Sequence, residues 1–174
     1  SCDARLASEM MKDIFGAGFD YYAIREVRRR LVAERLEKYG LEKKPGIDEI
    51  LAFLHERKIK SAVATATPIE LALQYLGRIG VKDQFDRIVS AKQVAHGKPA
   101  PDVYLYACGQ IGEDPADCVA VEDSPNGIRA AYAAGCRPVM VPDLTQPDEE
   151  IRPLLYAVVD TLADIKGLIP DRTL

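Results

Sequence analysis

Two periodicities divide the chain. Up to about Gly40, apolar residues recur at spacings of three and four: Leu6, Met10, Met11 and Ile14, then Ile24, Val27, Leu31, Leu36 and Tyr39. That spacing places them on one face of a helix, so amphipathic helices are predicted from about Asp3 to Gly40. Gly40 closes the second helix, because glycine takes the left-handed conformation at which many helices end. From Ile47 onward the period changes. Ile47, Ile50, Leu51 and Leu54 mark one more helix face, after which short apolar runs alternate with helical stretches. Residues 61–65, 86–90, 118–122, 137–141 and 157–160 read as strands. Helices are predicted over 68–78, 101–111 and 125–134. Such alternation is the pattern of a parallel sheet flanked by helices. The expected organisation is a small helical region, residues 1–42, and an α/β domain, residues 43–174.

Composition narrows the picture. With 48% apolar and 29% charged residues, the chain reads as an ordinary globular protein able to bury a core. A formal net charge of −4 argues against a nucleic-acid partner. It leaves room for an anionic substrate at a local positive group. The basic run Arg28-Arg29-Arg30 reads as a solvated helix face. Four cysteines, Cys2, Cys108, Cys118 and Cys136, form no C-x-x-C pair. They are expected to be reduced, buried thiols, which implies a cytoplasmic location. No apolar run approaches the ~20 residues that span a bilayer, and no secretory signal is read at the start. The first residue is Ser rather than Met, so the native start is expected elsewhere.

Three stretches carry chemistry. In Thr65-Ala66-Thr67-Pro68-Ile69-Glu70 a strand ends on a hydroxyl and a helix begins. Thr67 is expected to cap that helix in a capping box with Glu70. Such a turn presents backbone N–H groups at the carboxyl end of a parallel strand, where open α/β sheets bind ligands and anions. In Gly97-Lys98-Pro99-Ala100-Pro101-Asp102 the proline holds Lys98 extended just ahead of a helix, as a positioned point charge suited to phosphate. Its plain alternative is an exposed loop lysine. His96 and His55 read as solvated side chains. In Val121-Glu122-Asp123-Ser124-Pro125-Asn126-Gly127 an apolar strand runs into two acids. Adjacent carboxylates resist ionisation unless a cation joins them, and oxygen ligands of this kind suit Mg²⁺. An acidic helix start accounts for Asp123 but not for Glu122, which is still on the strand. No G-x-G-x-x-G or Walker sequence points to a nucleotide cofactor.

In this order the three stretches resemble motifs two, three and four of the haloacid dehalogenase superfamily, in the branch of β-phosphoglucomutase and sugar-phosphate phosphatases. The resemblance runs from about Pro45 to Asp160. It implies a Rossmann-like α/β core, with residues 1–42 as the remnant of a mobile helical cap. It implies that Thr65 and Ala66 bind the transferring phosphoryl group and that Lys98 neutralises its charge, with Thr65 and Lys98 as catalytic residues. Glu122 and Asp123 are implied to hold Mg²⁺, and the implied partner is a small phosphorylated metabolite.

One family element is missing. No Asp-x-Asp precedes Pro45, and Asp3, Asp13 and Asp20 do not follow apolar strand runs. In the family the strand bearing that motif is central, between the strands represented here by 61–65 and 118–122. Its absence implies two apolar edges facing a gap, which invites a homodimer or a strand-complemented assembly. The expected activity is Mg²⁺-dependent phosphoryl transfer through an aspartyl-phosphate whose aspartate lies outside these residues. Pro68 and Ile69 stand where the mutases often carry a polar Lys-Asn pair, which favours a phosphatase over a β-phosphoglucomutase-type isomerase. A truncated, inactive binding or scaffold protein is the non-enzymatic alternative.

Overall fold

The computed structural model describes residues 4–170. Cys2 and Asp3, and the side chain of Leu6, lie outside the described residues. The chain divides into two compact units after Glu42.

The first unit holds α1 (Ala4–Phe15) and α2 (Tyr21–Tyr39). Asp20 starts α2 by accepting the Ala23 N–H at 2.9 Å. Gly40 ends it at a φ of 75°, donating its N–H to the Leu36 carbonyl at 3.0 Å. The predicted apolar face does not become a core face. No residue of α2 is buried, and Ile24, Val27, Leu31 and Tyr39 are exposed. Two helices of this size are too small to enclose a core between them. Arg28, Arg29 and Arg30 are solvated, and Arg29 and Arg30 pair with Glu26 and Glu34 at 3.1 and 3.7 Å.

The second unit alternates helix and strand: α3 (Ile47–Glu56), β1 (Ala62–Thr65), α4 (Ile69–Arg78), β2 (Arg87–Ser90) and α5 (Asp102–Ile111). Then come β3 (Val119–Glu122), α6 (Pro125–Ala133), β4 (Arg137–Met140), β5 (Ala157–Val158) and a terminal 3-10 segment, Leu162–Leu168. All five predicted strands form, each one or two residues shorter than its apolar run. The pairing is parallel. Ala62 to Thr65 face Arg87 to Ser90, Val119 to Glu122 face Arg137 to Met140, and β5 adds to β4. β1 and β3 are not bonded to each other, so the sheet is in two pieces, β1-β2 and β3-β4-β5. The break falls between the strands that the sequence placed on either side of the absent one.

Helices cover the sheet because its strands carry apolar residues towards them. Val89 and Ala120 pack with Val103 and Ala107 of α5 and with Ala130 of α6. Val139 packs with Ile50 of α3 and with Ile165. Burying an Ile or Val side chain contributes about 1.5–3 kcal/mol. Gly46 lets α3 approach the terminal 3-10 segment. Its φ is 84°, and a Cβ there would collide with the backbone of Ala163. Cys108, Cys118 and Cys136 are free thiols; Cys108 and Cys136 are buried, whereas Cys118 is half-buried. Among the described residues no helix is long and apolar enough to cross a membrane.

Candidate active site

The three chemical stretches occupy the carboxyl ends of β1 and β3 and the loop leading to α5. Thr65 is the last residue of β1, and its hydroxyl accepts the Thr67 N–H at 3.1 Å. Ala66 follows, half-buried, in the same turn. The capping box predicted for Thr67 and Glu70 does not form. Pro68 occupies the cap position with extended angles (φ −52°, ψ 142°), no side chain caps the helix, and α4 starts at Ile69. The turn is held from elsewhere. Ser90, fully buried at the end of β2, donates its hydroxyl to the Thr67 carbonyl at 2.6 Å. Ser90 escaped the sequence reading. Its signal was a serine ending an apolar strand with Gln93 three residues on, and this pair forms a capping box.

Lys98 is not an exposed loop lysine. It is 9% exposed, and the bond to Pro99 is cis. Its ammonium donates to the Ala64 carbonyl at 3.1 Å, to the Tyr104 hydroxyl at 3.3 Å and to the Glu122 carboxylate. The same ammonium lies 4.7 Å from the centre of the Tyr104 ring. Tyr104, on the first turn of α5, donates its own hydroxyl to Glu122. Burial, and then the negative charge of Glu122, push the Tyr104 phenol far above its ordinary value, so it acts as a neutral donor. Nothing in its spacing marked Tyr104 in the sequence. It falls within the helix predicted over 101–111.

Glu122 ends β3. Its second oxygen accepts the Ser124 hydroxyl at 3.2 Å, and Ser124 also accepts the Gly127 N–H at 3.2 Å, which starts α6 with Pro125 as its first residue. Gly127 is required by Glu122, since a Cβ there would fall on the carboxylate. Asp123 follows and is exposed. The structure therefore joins Lys98 and Glu122 directly, brings the end of β1 to Lys98 through Ala64, and leaves Asp123 at the rim. His96 is exposed, and both its backbone N–H and ring Nδ1 lie at hydrogen-bond distance from Asp102, at 3.1 and 3.0 Å. That ring contact is the main reason the Asp102 carboxyl sits below its ordinary value. His55 is likewise exposed, with Nε2 at 2.9 Å from the Gln84 carbonyl.

Among the described residues no three His, Cys, Asp or Glu side chains assemble into a metal site. Glu122 and Asp123 offer two adjacent carboxylates, the usual protein share of a Mg²⁺ site whose remaining ligands are water and substrate phosphate. A buried ammonium held in place, beside helix N-termini at the carboxyl edge of a parallel sheet, is suited to receive an anion.

Comparison with known proteins places the chain in a family. The chain is 38% identical over 98 residues to hexitol phosphatase B of Escherichia coli K12, an alignment covering 56% of this chain and 44% of that one. It is 33% identical over 146 residues to a phosphorylated carbohydrates phosphatase of Thermotoga maritima, covering 84% and 58% of the two chains. The chain thus spans about half the length of these relatives. Among solved structures it matches CbbY of Rhodobacter sphaeroides in complex with xylulose-1,5-bisphosphate, at a TM-score of 0.70 and 28% identity over 86% of this chain and 67% of that one. Residues 9–135 match the family model of the haloacid dehalogenase-like hydrolases, and the chain belongs to that family.

Proposed function

We propose that this chain is part of a phosphatase acting on a small phosphorylated carbohydrate. The carrying observation is the buried Lys98, fixed by Ala64, Tyr104 and Glu122 where the two halves of the sheet end. In this reading the Thr65 hydroxyl and the turn N–H groups around Ala66 receive the transferring phosphoryl group, and Lys98 balances its charge. Electrostatic positioning of this kind is the protein's main task in phosphoryl transfer. Glu122 and Asp123 would hold Mg²⁺, which supplies further charge neutralisation when bound. The acceptor is an aspartate carried outside these 174 residues. Its carboxylate oxygen bonds to phosphorus as the bond from phosphorus to the sugar oxygen breaks and that oxygen takes a proton from water; a second water then cleaves the acyl phosphate, returning that proton to solvent and releasing inorganic phosphate and the free carboxylate. In this reading residues 1–42 are part of the family's helical cap.

The names of the relatives support a carbohydrate phosphate as substrate. In the test, the native gene product is given hexitol phosphates, fructose 1-phosphate and β-glucose 1-phosphate with Mg²⁺. Release of inorganic phosphate is expected. Conversion of β-glucose 1-phosphate to glucose 6-phosphate would replace the phosphatase reading with a mutase. Binding without turnover of any of them would leave a scaffold protein.

A further inference from the structure

Tyr104 places a neutral hydroxyl between the two charges of the site. The residue is buried on the first turn of α5, where its N–H donates to the Pro101 carbonyl at 2.9 Å. Its hydroxyl donates to Glu122 Oε1 and accepts from the Lys98 ammonium at 3.3 Å, and the centre of its ring lies 4.7 Å from that ammonium. Among the described residues the donors on Oε1 are the Lys98 ammonium and the Tyr104 hydroxyl. The ammonium meets three acceptors, Ala64, Tyr104 and Glu122, as many as it has N–H groups. A phosphoryl oxygen arriving at Lys98 therefore competes with groups already bonded to it, and above all with Glu122, the other anion.

Glu122 is not free to follow the ammonium. Its second oxygen accepts the Ser124 hydroxyl at 3.2 Å, and its carboxylate lies so close to Gly127 that a Cβ there would collide with it. When Lys98 turns towards an anion, Oε1 stays where it is and loses a donor. A buried carboxylate that loses its donors is costly, and that cost opposes substrate binding. The Tyr104 hydroxyl reduces it, because it is carried by α5 and keeps its bond to Oε1 whatever Lys98 does. We infer that Tyr104 is a positioning residue whose hydroxyl holds Glu122 while Lys98 turns to the phosphoryl group, so that the buried ion pair does not compete with substrate. Phenylalanine at this position would keep the packing and the cation–π contact but not the hold on Glu122.

This role rests on the phosphatase reading of the site, and the test separates the two. In the native gene product, Tyr104→Phe is compared with wild type by calorimetric binding of inorganic phosphate in excess Mg²⁺ and by steady-state kinetics on the sugar phosphate that turns over fastest. The phosphate Kd and the KM are each expected to rise about tenfold, the order of one hydrogen bond to a charged group. The kcat is expected to stay within about twofold, because Lys98 meets the phosphoryl group in bound substrate and transition state alike. In a Glu122→Gln background no second anion holds Lys98, so Tyr104→Phe is expected to change the phosphate Kd by less than about twofold. Wild-type Kd and KM in Tyr104→Phe would overturn the inference and leave the phosphatase reading in place. So would a fall in kcat at constant KM, or an equal tenfold loss of phosphate affinity in the Glu122→Gln background, where the hydroxyl would be serving something other than Glu122. Loss of cooperative unfolding in Tyr104→Phe would overturn it as well, by showing that the hydroxyl holds the fold. A wild-type protein that neither binds phosphate nor releases it from any sugar phosphate would end both readings.

Discussion

The Lys98–Glu122 pair is the most demanding feature at the scale of single residues. Both side chains are about nine-tenths buried, and each is held by Tyr104 as well as by the other. Removing one partner of a buried ion pair leaves an uncompensated charge and typically costs about 3–5 kcal/mol. Lys98→Met is therefore expected to lower the unfolding free energy obtained from a urea titration by that order, and Lys98→Met combined with Glu122→Gln to recover part of the loss. Additive losses would show that the two charges do not support each other. Gly127→Ala places a methyl group on the Glu122 carboxylate, and overpacking of this kind costs about 1–3 kcal/mol. Unchanged stability in a denaturant titration would contradict the geometry. Lys98 and Glu122 were legible in the sequence because a proline-flanked lysine and an acid on an apolar strand both break local rules. Tyr104 and Ser90 break none. Their roles arise only when α5 and β2 pack beside the ends of β1 and β3, so long-range contact conceals them from a linear reading.

At the scale of elements, apolar runs gave the five strands and their order. What they misplaced was the start of α4. The T-x-x-E pattern at 67–70 is a sound local cap, yet Ser90 holds the Thr67 carbonyl and α4 begins one residue later. Ser90→Ala leaves that turn without its buried donor and is expected to cost about 1–2 kcal/mol in thermal or denaturant unfolding, since the loss of one hydrogen bond is of that order. The thiols at the start of β3 and on α5 give a pH test. Burial pushes Cys108 up to about 11 and Cys118 to about 12, from an ordinary 9.0. The folded chain keeps protons that the unfolded chain releases, so their contribution to stability is complete below pH 9 and is lost as pH rises through 9 to 12. A Cys108→Ala/Cys118→Ala variant should show a shallower fall of the urea midpoint over that range. An identical slope would mean that the thiols do not titrate with folding.

For the molecule as a whole, the alternation of strand and helix was legible, and so was the sheet's interruption, because the expected central motif has no counterpart before Pro45. The helical region was less so. Its periodic apolar residues predicted amphipathic helices, and α2 buries none of its residues. Periodicity specifies a face but not what covers it. The central claim is that the cluster at the two sheet ends performs phosphoryl transfer, and kcat/KM of the native gene product measures it most directly. With the sugar phosphate that turns over fastest, Lys98→Ala and Asp123→Ala are each expected to lose about 10²–10³ in rate, the usual effect of removing one charge-stabilising group. Wild-type values from either variant, with the fold intact by circular dichroism, would contradict the account.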